Sequence, residues 1–332
     1  MSVAISTCLA LLCLLLCAVP AGAQDKTSKL TVSYPTASAS QAVMWVAKDA
    51  GIFRKHQLDV ELVYLSGGPR SMASLLSGQI QIIGTGGNSL VAANLKGAKD
   101  AVLIATTYNT LIFSLMTRAD IKEPKDLKGK IIGVSVLGSL SDFTLRTLLK
   151  KWSIDANREV AIRPIGGIPE ILGAMLAKVL DGGVLSPPSN LRAEALGFRE
   201  FADAGTLDIE YASTCYATTR RFIREKREVV GHFIRALIEA IHFMKTDKSG
   251  AVGIIQKYTK VQEPRVLEET YRAYALRYLV KAPYPTATGV ATILESLISS
   301  IPEAKDAVPE QFIDASFLHD LDKSGWIDRL YR

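Results

Sequence analysis

The chain has 332 residues, 48% of them apolar and 22% charged, with a formal net charge of +6. That composition excludes a disordered polymer and supports one large core or two smaller ones. The basic excess is not gathered for nucleic acid. Its densest run, Arg220, Arg221, Arg224, Lys226 and Arg227, alternates with Glu225 and Glu228 at helical spacing and reads as a solvated helix face.

The first element, MSVAISTCLALLCLLLCAVPAGAQDK, is a short apolar stretch followed by Pro20 and Ala21-Gly22-Ala23. It has the form of a secretory signal, residues 1–23, with cleavage after Ala23, although no basic residue stands near Met1. The apolar run is shorter than the roughly 20 residues of a membrane span. Lipidation at Cys17 competes with cleavage, but Leu16 stands where lipid-anchor signals prefer Gly or Ala. Export to the periplasm is the expectation. Cys8, Cys13 and Cys17 fall in the signal, so Cys215 alone would remain and neither an internal disulfide nor a thiolate metal cluster could form.

Beyond the signal, the pattern β-loop-α-β-α-β-loop-α occurs twice, offset by about 100 residues. ASLLSGQIQIIGTGGNSLVAANLKGA, from Ala73, parallels GAMLAKVLDGGVLSPPSNLRAEALGF, from Gly173. VSYPTASASQAVMWVAKDAGI, from Val32, parallels GVSVLGSLSDFTLRTLLKKWSI, from Gly133. In the first copy LTVSY, DVELVYL and QIIG read as strands, and Ser40 as a helix N-cap. Val43, Val46, Ala47 and Ala50 form an apolar helix stripe, with Met72, Leu75 and Leu76 pointing inward on the next helix. In the second copy the strands are KIIGVSV, VAIRPI and GGVLS, entered through the charged segment DIKEPKDLKGK. Strands alternating with helices predict parallel sheets with covered faces, hence two α/β lobes.

After Tyr211 there is no third copy. ASTCYATT reads as a strand, and Phe233, Ile234, Leu237, Ile238, Ile241 and Met244 mark a long amphipathic helix. A helical C-terminal segment packing back on the first lobe would make residues 24–110 plus 214–332 lobe one and 111–213 lobe two. Two crossovers, near 107–115 and 210–218, would then form a hinge.

Ligands of open parallel sheets sit beyond the carboxyl ends of the strands, and the loops there are rich in Gly, Ser and Thr. Gly84-Thr-Gly-Gly-Asn-Ser lacks the Lys-[ST] of a phosphate-binding loop. It also lacks the third Gly of a dinucleotide fingerprint. No cofactor is implied. There is no G-x-S-x-G, no H-E-x-x-H and no metal-ligand spacing. His232 and His242, about 80° apart on a helix, read as edge-of-core residues, His56 and His319 lie in polar contexts, and Cys215 reads as a small buried strand residue.

AKDAGIFRKHQLDVELVYLSGG, LLSGQIQIIGTG, DLKGKIIGVS, GAMLAKVLDGGVLSPP and RRFIREKREVVGHFIRALIEAIHF resemble the sulfonate/nitrate/taurine/thiamine-precursor family of ABC-transporter substrate-binding proteins. The resemblance covers essentially the whole chain after the signal. It implies an α/β, two-lobed type II periplasmic binding protein fold, with two crossover strands at the hinge and a ligand cleft that closes on a small solute. It further implies delivery to a membrane permease, and a monomer with no nucleic-acid partner. The enzymatic branch, which makes a thiamine pyrimidine with a Cys-rich motif and an active-site His, is not matched, so no enzyme is expected. An exported module feeding a membrane sensor is the alternative on the same fold.

Carried over position by position, the resemblance assigns Thr36, Ser38 and Ser40 to the ligand cleft, with Gly67 and Gly68. Thr85, Gly86, Gly87 and Asn88 complete the first wall. Tyr108 or Asn109 would meet the ligand at the crossover. Ser139, Ser141, Asp142, Gly167 and Ser186 would form the opposing wall. For each Ser or Thr the competing role is a helix cap, and for each Gly a turn. Among the charged residues near these loops are Asp142, Arg70 and Arg163, and Asp142 reads as a helix-start residue. Helix dipoles and hydroxyls suit a carboxylate, sulfonate or other oxyanion on a modest organic body, an anionic or zwitterionic solute.

Overall fold

The structure, a computed structural model, describes residues 27–332. The expected signal and its cleavage or lipidation site lie outside the described residues. Two five-stranded sheets are present. The first is built from β1 (Ser28–Tyr34), β2 (Leu58–Tyr64), β3 (Ile82–Thr85), β4 (Ala101–Thr110) and β10 (Glu210–Thr219), in the order β2-β1-β3-β10-β4. The second is built from β5 (Ser114–Thr117), β6 (Ile131–Val134), β7 (Ala161–Pro164), β8 (Gly182–Leu185) and β9 (Arg199–Asp203), in the order β7-β6-β8-β5-β9.

The repeat read from the sequence is visible in this shared order. Three strands of each sheet are parallel, with Ser28 opposite Leu58 and Ile131 opposite Ala161. The sheets are nevertheless mixed, because β10 runs antiparallel to β3 and β4, and β5 antiparallel to β8 and β9. Both are the strands on which the chain has just arrived from the other sheet. Without a helical return they insert in the opposite sense. The chain passes to the second sheet at residues 111–113 and returns at 204–209, so 210–218, expected as a crossover, belongs to β10.

Between the strands of the first half lie α1 (Ala42–Asp49), α2 (Gly68–Leu76) and α3 (Gly87–Leu95). The second half has α4 (Leu140–Lys151), α5 (Ile168–Leu176) and α6 (Ser189–Ala195). The expected inward stripe of α1 is incomplete as a description, because Ala42 to Ala47 are all buried while Ala50 is exposed. The helix is covered on its outer side by α7 (Arg227–Thr246) and α8 (Lys248–Thr259). An apolar surface all round is what such a sandwiched helix needs. Trp45 stacks on Tyr258 of α8 at 4.6 Å between ring centroids. On α7 the whole predicted stripe from Phe233 to Met244 is buried.

Leu76 departs from expectation, being half-exposed at the end of α2, as is its repeat counterpart Leu176 on α5. Both sit in the last turn, where the helix leaves the sheet. Leu58, Val60, Ile82 and Leu103 on one side, and Ile132, Val134, Val184 and Leu115 on the other, carry the two sheet cores. Each such side chain contributes about 1.5–3 kcal/mol by burial.

Candidate functional site

The two halves meet along a seam, and the carboxyl ends of β1, β3 and β6 open onto it. There the sequence turns from β-branched residues to Gly, Ser and Thr, which lets the chain bend sharply into a helix. Four helices, α2, α3, α4 and α5, begin at one cavity, and Gly68, Gly86, Leu140 and Ile168 stand on its wall. The positive ends of four helices therefore lie near the cavity. The cavity is about 40 Å³.

Its polar wall is made of hydroxyls and one carboxamide. Ser135, Ser139 and Ser141 form a triangle with Oγ–Oγ distances of 2.9, 2.9 and 3.0 Å. Ser139 caps α4 by accepting from Asp142 N, and Ser141 Oγ accepts from Ser135 N. Across from them, Gln41 donates through Nε2 to Ser40 Oγ at 3.1 Å. Gln41 Oε1 and Thr36 Oγ1 are buried with no hydrogen-bond partner. A buried polar atom without a partner costs about 1–3 kcal/mol, so a solute group that reached these two would be held there. Ile112, Phe113, Leu140 and Ile168 supply an apolar remainder. Among the described residues no charged side chain lines the cavity.

Of the residues assigned from sequence, Thr36, Ser40, Gly67, Gly68, Thr85, Gly86, Ser139 and Ser141 line this cavity. The others do not. Ser38, rather than Ser40, is the cap of the short turn preceding α1. Its Oγ lies 2.9 Å from Ser186 Oγ and 3.1 Å from Tyr274 Oη, and donates to Pro187 O at 3.0 Å. Ser38 and Ser186 therefore bond to each other instead of facing the cavity. Gly87 packs against Ala212, where an added Cβ would lie 2.8 Å from the carbonyl oxygen. Asn88 reaches over the seam and donates to Gly138 O at 2.9 Å.

Tyr108 and Asn109 miss the cavity because β4 continues to Thr110. Tyr108 is fully buried against Tyr274, and burial pushes its phenol well above the ordinary range. Asn109 Nδ2 donates to Tyr284 O. Asp142 accepts from Gly138 N at 2.8 Å and from Arg146 Nε at 2.9 Å, serving the start of α4 as the helix-start reading had it. Gly167 precedes α5 and is closed in by Glu170 and Tyr64. Arg163 is exposed, and neither it nor Arg70 lines the cavity.

Sequence reasoning missed Gln41, Ser135, Ser213, Thr214 and the four apolar wall residues. Ser135 had been read as strand, but β6 ends at Val134. Ser213 and Thr214 lie on β10. Ile112 and Phe113 carry no sequence signal that separates them from core. Cys215 is buried, and burial pushes its thiol up to about 12.

Two lobes with reciprocal strand exchange and a hydroxyl-walled cavity at their seam define the periplasmic binding protein fold. The alkanesulfonate-binding protein SsuA of Xanthomonas axonopodis pv. citri, bound to MOPS, shares it. Its TM-score is 0.72 at 17% identity, covering 87% of this chain and 97% of that one. The periplasmic nitrate-binding protein NrtA of Synechocystis PCC 6803 gives 0.75 at 11% identity, covering 90% and 89%. At these identities the solved structures establish the fold alone. YtlA of Bacillus subtilis, a provisionally named binding protein, is 24% identical over 266 residues, 78% of this chain and 80% of its own. The family model described as NMT1/THI5 like matches residues 38–251, and the chain belongs to that family.

Proposed function

We propose that this protein is the extracytoplasmic solute-binding component of an ABC importer. It captures a small anionic or zwitterionic solute between its lobes and passes it to a membrane permease. The observation that carries this reading is the seam cavity itself, near which four helix N-termini and a cluster of hydroxyls lie and two buried polar atoms have no partner. Helix ends and hydroxyls hold a carboxylate or other oxyanion without a counter-charge. Solved neighbours named for alkanesulfonate and nitrate binding support the same solute chemistry.

The protein acts by binding and release, as a monomer in the periplasm, with Thr36, Ser40, Gln41, Thr85, Ser139 and Ser141 holding the solute. Closure of the lobes is selected by the solute that bridges them. The test is native mass spectrometry of protein purified gently from an exporting host, followed by denaturing extraction. A small molecule released at about one per chain supports the reading. Stoichiometric release of a chemically altered product from an added compound would instead make it an enzyme.

A further inference from the structure

The walls of the seam touch each other directly. Around the cavity, Ser38 bonds to Ser186 and Pro187 O, Ser66 Oγ donates to Gly166 O, and Asn88 and Ser89 both donate to Gly138 O. Each of these bonds joins a residue of the first half to one of the second. Tyr274, from the π-helical segment Arg272–Tyr278, adds a third hydroxyl to the Ser38–Ser186 pair and is itself fully buried. Where no hydrogen bond is made, the backbone of Gly67 packs against the side chain of Val136. A Cβ on Gly67, which sits at φ +83°, would lie 2.8 Å from Val136 Cγ2 across the seam.

We infer that this ring of bonds makes the site a size filter, admitting only a compact solute: an oxyanion head with a body of a single carbon. The inference rests on the solute-binding reading and narrows it. At about 10–15 Å³ for each water-sized group, a chamber of 40 Å³ has room for about three or four such groups. A cavity of about 150 Å³ takes up benzene. A longer body has nowhere to go without parting Ser38 from Ser186 or Asn88 from Gly138, and each broken pair leaves buried polar groups unsatisfied. MOPS, the molecule bound by the Xanthomonas neighbour, is several times too large for this chamber. The side chains that make the ring's bonds, Ser38, Ser66, Asn88, Ser89 and Ser186, stand outside the cavity lining, so the fastening and the solute contacts are held by different side chains.

The experiment is calorimetry and thermal shift with two homologous series, methane- to hexanesulfonate and acetate to hexanoate, together with MOPS. Ser38→Ala and Tyr274→Phe are measured alongside. Acetate and methanesulfonate are expected to bind at least about tenfold more tightly than the members of four carbons or more, a gap of about 1.4 kcal/mol. Both variants should shrink that gap, a change in the ratio that a merely weakened fold would not produce. Equal or tighter binding of hexanesulfonate or MOPS by the unaltered protein would overturn the inference. Small-angle scattering of the solute-free protein separates this failure from that of the function. If no member of either series binds and Ser38→Ala still expands the protein, the ring of bonds stands and the anionic-solute reading falls. If Ser38→Ala and Tyr274→Phe leave both the dimensions and the chain-length ratio unchanged, the size filter falls.

Discussion

Helices α1 and α4 occupy the same place in the two halves, each following the first strand of its unit, and their surroundings differ. Residues 42–47 of α1 are buried on every side. On α4, Leu145, Leu148 and Leu149 are buried while Lys150 and Lys151 are exposed. The difference comes from the C-terminal helices, which cover the first half and leave the second open to solvent. The loops diverge as well. In the first half all three loops after parallel strands reach the cavity, through Thr36, Gly67 and Thr85. In the second only the first loop does so fully, through Ser135, Ser139 and Ser141. The counterparts of the other two, around Gly166 and Ser186, bond across the seam. One repeated pattern thus provides a wall on one side and a fastening on the other.

The largest effect that tests this contrast is on stability. Phe233→Ala on α7 should cost about 3–5 kcal/mol, measured by urea unfolding, because Phe233 stacks on Phe53 and meets Tyr216 edge-on. A loss below 1 kcal/mol would mean that the C-terminal cover contributes little to the first half. Next come the repeat equivalents Gly86 and Ser186. Gly86→Leu puts a side chain where a Cβ already lies 2.6 Å from Asn88 Oδ1 and 3.3 Å from Leu140 Cβ. It should lower solute affinity by about 100-fold or more, about 2.7 kcal/mol.

Ser186→Ala removes one bond of the fastening and leaves the wall intact, so affinity should fall by about three- to tenfold. Equal losses in these two variants, read by calorimetry, would erase the distinction between wall and fastening. The smallest effect concerns pH. Burial lowers the pKa of His56 below its ordinary 6.5, against the opposing pull of Glu239, whose Oε2 lies 2.8 Å from Nε2. A depressed histidine makes its contribution to stability above the unfolded value and loses it as the pH falls through 6.5 toward the folded value. Thermal unfolding at pH 7.5 and pH 5 should therefore show a larger drop for the unaltered protein than for His56→Gln.

Much of this architecture was legible because periodicity reports local structure. The three parallel strands of each half and the stripe from Phe233 to Met244 follow from short-range patterns, whereas Ser139 and Ser141 at the start of α4 come from the family resemblance. What could not be read depends on which neighbour arrives from far along the chain. Ser38 and Ser40 look alike in sequence, yet only Ser38 meets Ser186, 148 residues away. The resemblance puts Tyr108 or Asn109 at the ligand on a crossover near 107–115, but pairing of β4 with β10 to Thr110 keeps both residues in the sheet. Ile112, Phe113 and Ile168 look like any core residues until the loops of the two halves meet around the cavity. The antiparallel sense of β5 and β10 follows from strand exchange between the halves, which no local pattern encodes.

That exchange also orders the steps by which the chain folds. The second sheet has all its strands once residue 203 is available, whereas β4 pairs within its sheet only with β10, Thr110 standing opposite Glu210. An emerging chain can therefore complete its second half first. The first half waits, with β4 unpaired, through the roughly one hundred residues that close this loop. Long-range pairing of this kind slows folding and lengthens the life of a chain with an open edge. Pulse-labelled hydrogen exchange should find β6 and β8 protected before β4.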